Sequence, residues 1–203
     1  MQRLPLANAE VDYEPAFPLG APPDRLLERL VAELQWRRES IVLWGRRYEQ
    51  PRLLAWYGDP GAAYRYSGVR HEPLAWTATL SGIRARVEHR LGLRFNGVLA
   101  NYYRDHRDGM GYHSDDEPEL GERPVIASVS VGEPRLFVFR SRTGPGAPAW
   151  RLRLASGSLL VMRGETQRHW RHGLPKQVRA CGPRVNLTFR RILATAPSGA
   201  REA

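Results

Sequence analysis

The chain has 203 residues, 42% of them hydrophobic and 26% charged, which suits one soluble globular domain with a core of its own. No stretch approaches the eighteen apolar residues of a membrane span, and the start, Met1-Gln2-Arg3-Leu4-Pro5, lacks the apolar centre of a secretion signal. Cys181 is the single cysteine, so an internal disulfide is excluded and a reducing, cytoplasmic setting is expected. Lys and Arg number 31 against 21 Asp and Glu, a net charge of +10, and Lys176 is the one lysine. Guanidinium groups bind phosphate bidentately and stack on bases, so this balance points towards a polyanionic partner. Arginine-rich codon usage would leave the same imprint.

In chain order, residues 1–23 are proline-rich, lack periodicity and are expected as an arm on the surface. Pro22-Pro23-Asp24 opens a helix with Asp24 placed to cap it and Leu26, Leu27, Leu30, Val31 and Leu34 on its apolar stripe. A second helix is expected from about Leu74 to Leu91, with Leu80, Ile83, Val87 and Leu91 inward and Gly92 as its stop. Between them, Trp56 to Gly61 is expected as a turn. From Phe95 onward the texture becomes short strands: Val98–Tyr103, Val125–Val131, Leu136–Arg140, Trp150–Leu154, Ser158–Met162 and Val185–Ile192. Residues 143–148 form a loop, and residues 194–203 are expected as a flexible tail behind a single domain over 24–193. The expected class is α+β, with a β-sandwich or open barrel at the centre.

Two of the six histidines begin a His-x-Asp triplet, His106-Arg107-Asp108 and His113-Ser114-Asp115. On an extended strand, residues i and i+2 point the same way and can offer an imidazole and a carboxylate to one ion. A histidine from a distant strand would complete a two-histidine, one-carboxylate face, a donor set suited to non-haem iron(II). His106 and Asp108 sit in a charged turn, whereas Gly109 to Tyr112 let the chain straighten before His113, which favours the second triplet. For the third ligand, His169 and His172 are equally placed. In Arg184-Val185-Asn186-Leu187-Thr188-Phe189-Arg190 the polar residues share one face and the apolar ones the other. On a central strand the polar face would line a cavity, where two arginines call for an anionic ligand such as a small dicarboxylate. On an edge strand it would meet water.

Together, Asn101-Tyr102-Tyr103-Arg104-Asp105, Gly111-Tyr112-His113-Ser114-Asp115-Asp116-Glu117 and Arg184–Arg190 resemble the AlkB family. These are iron(II)- and 2-oxoglutarate-dependent dioxygenases that repair alkylated nucleic acid bases, and the likeness is greatest to the branch with the animal DNA repair members. Supporting stretches are Ile126–Ser130, Gly157–Met162 and Trp170–Pro175, so the resemblance covers roughly residues 41–192. It implies a double-stranded β-helix, or jelly roll, behind N-terminal helices and a nucleotide-recognition lid at about 41–70. It implies iron ligands at His113, Asp115 and His172, leaving His106, Asp108 and His169 outside. It places Asn101 and Tyr103 on 2-oxoglutarate, Arg190 on that molecule's distal carboxylate and Arg184 near the other end.

By the same resemblance, Tyr64 and Tyr66 surround an extruded base, His113 stacks on its other face, and Asp116 and Glu117 meet its polar edge. Trp44 falls where duplex-acting relatives insert an apolar wedge, with ordinary core packing as the alternative, and Arg52 is a candidate backbone contact. The implied activity is oxidative demethylation of 1-methyladenine- or 3-methylcytosine-type lesions in DNA, with RNA the alternative, using iron(II), 2-oxoglutarate and O2. A monomer without a membrane partner is expected. Rival readings are a dioxygenase of the same fold acting on protein or lipid, a non-catalytic module that binds damaged bases, and a zinc hydrolase. The aromatic lid and positive charge weigh against the first, the retained arginines and ligands against the second, and the lack of a general base against the third.

Overall fold

The computed structural model describes residues 1–43, 45–66, 69–144 and 148–193, with the backbone alone described at 41–43, 64–66 and 69–71. Its strands are β1 Gln2–Arg3, β2 Glu10–Glu14, β3 Arg37–Leu43, β4 Arg46–Gly58, β5 Tyr64–Tyr66, β6 Val69–His71 and β7 Gly97–Tyr103. They continue as β8 Met110–His113, β9 Ile126–Gly132, β10 Arg135–Ser141, β11 Trp150–Leu154, β12 Ser158–Arg163, β13 Trp170–Leu174 and β14 Arg184–Arg190. Helices are α1 Pro23–Glu33, α2 Ala78–Leu91 and the single-turn α3 Thr166–His169.

The larger sheet has the order β1-β2-β12-β9-β14-β7-β4-β3, and the smaller one β11-β10-β13-β8. Side-chain alternation turns the larger sheet into a divider between two cores. Val185, Leu187 and Phe189 of β14, Val98 and Ala100 of β7, and Val129 of β9 pack with Leu26 and Leu30 of α1 and Leu80, Ile83 and Val87 of α2. Leu99 and Tyr103 of β7, with Leu54 and Trp56 of β4, face Phe137, Phe139, Leu154 and Leu174 of the smaller sheet. Each fully buried large aliphatic contributes about 1.5–3 kcal/mol, and together these two layers hold the sheets face to face. All seven residues of β14 are buried, so it is a central strand and its polar face looks between the sheets.

Several elements differ from expectation. Residues 1–23 are not a surface arm: β2 pairs with β12, and Leu4, Leu6, Val11, Tyr13, Phe17 and Leu19 are buried. The prolines hide a short alternating strand there. Asp24 does not cap α1; Pro22 occupies that position, and Asp24 lies in the first turn, where its charge suits the helix dipole. α2 starts at Ala78 because the Thr77 hydroxyl accepts from Leu80 N at 3.2 Å, while Leu74 is drawn into a bridge with Tyr57. At the other end Gly92 takes the left-handed conformation, as expected. The turn expected at Trp56 is strand through Gly58, where a side chain would sit 2.7 Å from Asn96 O. Within the region expected as a lid, 41–70, residues Arg46–Gly58 form β4, which pairs with β7 in the larger sheet.

Gly132 ends β9 with φ +94°, beside Pro183 O and 3.1 Å from Arg184 Cα for any added Cβ. Gly132→Ala is expected to cost about 2–3 kcal/mol through backbone strain and displacement of β14, read as a lower urea midpoint with unchanged slope.

Candidate metal and co-substrate site

β8 and β13 are neighbours in the smaller sheet, with His113 and His172 directly opposed. Asp115 lies just past β8, and one ligating atom from each of the three falls within 4.8 Å of the others. The Asp115 carboxylate is 4.0 Å from His113 Nε2 and 3.6 Å from His172 Nε2. His113 Nδ1 lies 3.0 Å from Gly111 O, which fixes that nitrogen as the protonated donor and turns Nε2 inward. His172 is held by ring packing, 5.3 Å from Phe137 in a near-parallel stack. Gln167 of α3 accepts from Asp115 N at 3.0 Å, and Ser114 donates to Trp170 O. Thus the carboxylate is positioned by a loop tied to α3, not by a shared strand face as the triplet spacing predicts.

Asp108, the carboxylate of the other triplet, is buried and accepts from Arg104 N, Nε and Nη2 at 2.8–2.9 Å. It closes the turn after β7. His169 lies 3.4 Å from Glu165 within α3. Both stand apart from the three-residue cluster.

Burial pushes the Asp115 carboxyl up, but Arg190, His172 and His113 outweigh it and hold it well below the ordinary carboxylate range. His172 is pushed down to about 3 by burial, then by His113, with Asp115 opposing and Arg190 adding. At neutral pH Asp115 is therefore a carboxylate and His172 an imidazole with a free lone pair; with the inward-turned Nε2 of His113 they make the donor set a divalent transition metal takes with positions left open. An unfolded histidine takes its proton near 6.5, so the unfolded chain binds more protons as pH falls from about 6.5 to 3. Stability of the metal-free protein is thus expected to fall through that window, with Asp115 adding to the loss below about pH 4. The urea midpoint should drop less steeply with acid in His172→Gln; an identical pH profile would refute the assignment.

The inner face of β14 carries the rest. Arg190 Nη2 bonds Asp115 Oδ1 at 2.5 Å. Arg184 Nη2 bonds Asn186 Oδ1 at 2.7 Å and Ser130 Oγ at 2.8 Å, and its guanidinium lies 5.2 Å from the Tyr103 ring centroid. Its Nε and Nη1 are buried without a hydrogen-bond partner. Burial pushes the Arg184 guanidinium down to about 10. The six-residue separation on an extended strand puts the two arginines at opposite ends of the inner face of β14. This reverses the ends expected of them: Arg190 is at the metal ligands and Arg184 is remote.

Asn101 and Tyr103 are buried on the adjacent β7. Arg52 is corrected. It is 3% exposed and donates to Asn101 Oδ1 at 2.8 Å, so it braces the cavity wall and cannot reach a nucleic acid backbone. Asp116 is half exposed and bonds Arg142 Nη1 at 2.7 Å, while Glu117 is half-buried beside it. Tyr64 and Tyr66 lie on β5, paired with β6, but their side chains are outside the described residues, as is Trp44. Gln167, Phe137 and Arg142 were not legible in the sequence, because no spacing ties them to the ligands.

The 2OG-Fe(II) oxygenase superfamily model matches residues 22–190. The alpha-ketoglutarate-dependent dioxygenase alkB homolog 3 of Rattus norvegicus is 39% identical over 93% of this chain and 66% of its own length. DNA oxidative demethylase ALKBH2 of Mus musculus is 41% identical over 85% of this chain and 76% of its own. This chain belongs to the alkB branch of the 2OG-Fe(II) oxygenase superfamily. It spans about two thirds of the length of the alkB homolog 3 relatives it matches. The solved structure of OsALKBH1 shares the fold, with TM-score 0.62 and 19% identity over 89% of this chain and 97% of that one. The jelly-roll core and the cofactor set of iron(II), 2-oxoglutarate and O2 expected of this alkB-branch dioxygenase are borne out.

Proposed function

We propose that the protein is an oxidative demethylase of N-alkylated bases in DNA, acting on 1-methyladenine- and 3-methylcytosine-type lesions, with RNA as a second substrate to be tested. The observation that carries this reading is the convergence of His113, Asp115 and His172 beside the buried, arginine-bearing face of β14, in a chain 41% identical to a DNA oxidative demethylase. His113, Asp115 and His172 would hold iron(II). Arg184, with Tyr103 and Asn101, would take the distal carboxylate of 2-oxoglutarate, because its buried Nε and Nη1 have no hydrogen-bond partner among the described residues.

When bound, iron(II) would activate O2 with 2-oxoglutarate as the two-electron reductant, one oxygen atom turning a base N–CH3 into N–CH2OH and the other entering succinate as CO2 leaves. The hydroxymethyl group then loses its O–H proton, the C–N pair returns to the ring nitrogen, and formaldehyde departs. Arg190 holds Asp115 ionised and oriented throughout. Asp116, half exposed and next to the ligand carboxylate in the chain, would accept from the exocyclic amine that adenine and cytosine share, and its contact with Arg142 holds it in place. The arginine excess supplies phosphate contacts, so binding should weaken with salt.

Incubation with oligonucleotides carrying 3-methylcytosine, as single strand, duplex and RNA, tests this by mass spectrometry. The expected result is loss of the methyl mass only when 2-oxoglutarate is present. A methyl group that persists on every strand while succinate accumulates would remove nucleic acid as the substrate.

A further inference from the structure

Arg135, the first residue of β10, is 0% exposed. Its Nη1 donates to Asp105 O at 3.2 Å, and its Nη2 to Asp108 O at 2.8 Å and Pro175 O at 3.0 Å. All three acceptors are neutral carbonyls, and no described carboxylate lies within ion-pair distance. Two of the carbonyls follow β7, which carries Asn101 and Tyr103; the third follows β13, which carries His172. Arg184, also buried, has two neutral side-chain acceptors and the Tyr103 ring. Arg184 pairs with Gly132 across β14 and β9, three residues before Arg135, so the two arginines lie at the same end of the sheets; burial pushes the Arg184 guanidinium down, Tyr103 opposes, and Arg135 adds to the lowering. Two desolvated cations facing each other's field with dipoles alone for compensation are unfavourable, since buried charges are ordinarily paired. Such an arrangement is relieved by an anion entering between the sheets.

We propose that Arg135 is a positioning residue that sets co-substrate specificity: its buried charge, added to that of Arg184, makes the remote end of the cavity select a 2-oxo acid with an anionic tail over one with a neutral tail. This rests on the reading of the cavity as the 2-oxoglutarate site. Arg135 spends its Nη donors on carbonyls, so it acts on the tail through space in a low-dielectric interior.

The test is calorimetric titration of the full chain loaded with manganese(II), which is not turned over, with 2-oxoglutarate and with its tail amide, 5-amino-2,5-dioxopentanoate. Arg135→Met is expected to weaken 2-oxoglutarate roughly tenfold and to leave the amide within about twofold, the contrast expected of a Coulombic contribution across the interior. Arg135→Gln, which keeps donors for the carbonyls, should show the same contrast and decides the matter if the Met variant does not fold. Arg135→Lys, which keeps the charge, should restore the preference. Equal weakening of both ligands, or of neither, would overturn the proposal and leave Arg135 a loop clamp. A wild-type protein that does not distinguish the two ligands, together with an Arg184→Met variant that binds both unchanged, would instead remove the reading of the cavity, and the inference with it.

Discussion

Asp115→Asn is expected to eliminate metal-dependent turnover and to destabilise the metal-free protein. The substitution removes the one carboxylate of the donor set, so the loss should exceed the roughly 100-fold that removal of an outer-shell partner costs a metal site. It also breaks the buried pair with Arg190, both side chains being no more than 3% exposed. Removing one partner of such a pair typically costs about 3–5 kcal/mol, because the remaining charge stays desolvated without its counter-ion. The two consequences separate experimentally. Iron(II) affinity by anaerobic titration should collapse, and the urea midpoint should fall without any metal present. Retained iron affinity would contradict the ligand assignment; unchanged stability would contradict the weight given to the Arg190 contact.

The second large effect belongs to Arg184. Arg184→Met should raise the KM for 2-oxoglutarate by about 100-fold, within the 2–5 kcal/mol range for removing one member of a buried, hydrogen-bonded charge pair. Affinity for an alkylated oligonucleotide should stay unchanged, because Arg184 is 1% exposed and lies between the sheets. A variant that loses DNA binding and keeps its KM would place the arginine in the substrate channel. Arg190 is expected to behave differently. It touches the ligand carboxylate, so its loss should appear in iron affinity before it appears in KM for the co-substrate.

The strands that carry the site were legible where side-chain period and burial agree. Arg184 to Arg190 alternates polar and apolar without interruption, and the structure makes it a central strand with Val185, Leu187 and Phe189 towards the helices. β2 was not legible, since Pro5, Pro15 and Pro18 surround it and only Val11 and Tyr13 signal alternation. β3 opens with Arg37, Arg38 and Glu39, which a sheet edge tolerates but a sequence pattern does not reveal. The ligand triplet was found for a partly mistaken reason. His113 and Asp115 cooperate because Gln167 and Ser114 anchor the chain after β8, contacts some fifty residues apart that no local spacing encodes. Arg52 misled in the opposite way. The resemblance made it a nucleic acid backbone contact near the wedge position of Trp44, yet the register of β4 against β7 turns it inward onto Asn101. The alternation put both arginines of β14 on one face, and the contact to Asp115 shows that Arg190 is the one beside the metal ligands.

The central claim is that this site couples 2-oxoglutarate oxidation to removal of a methyl group from a base, and the ratio of products tests it most directly. With iron(II), 2-oxoglutarate, O2 and a 3-methylcytosine oligonucleotide, succinate, formaldehyde and restored cytosine should appear in equal amounts, and none of the three should form with His113→Ala. Formaldehyde or restored cytosine arising without succinate, or in undiminished yield from the His113→Ala protein, would contradict the account.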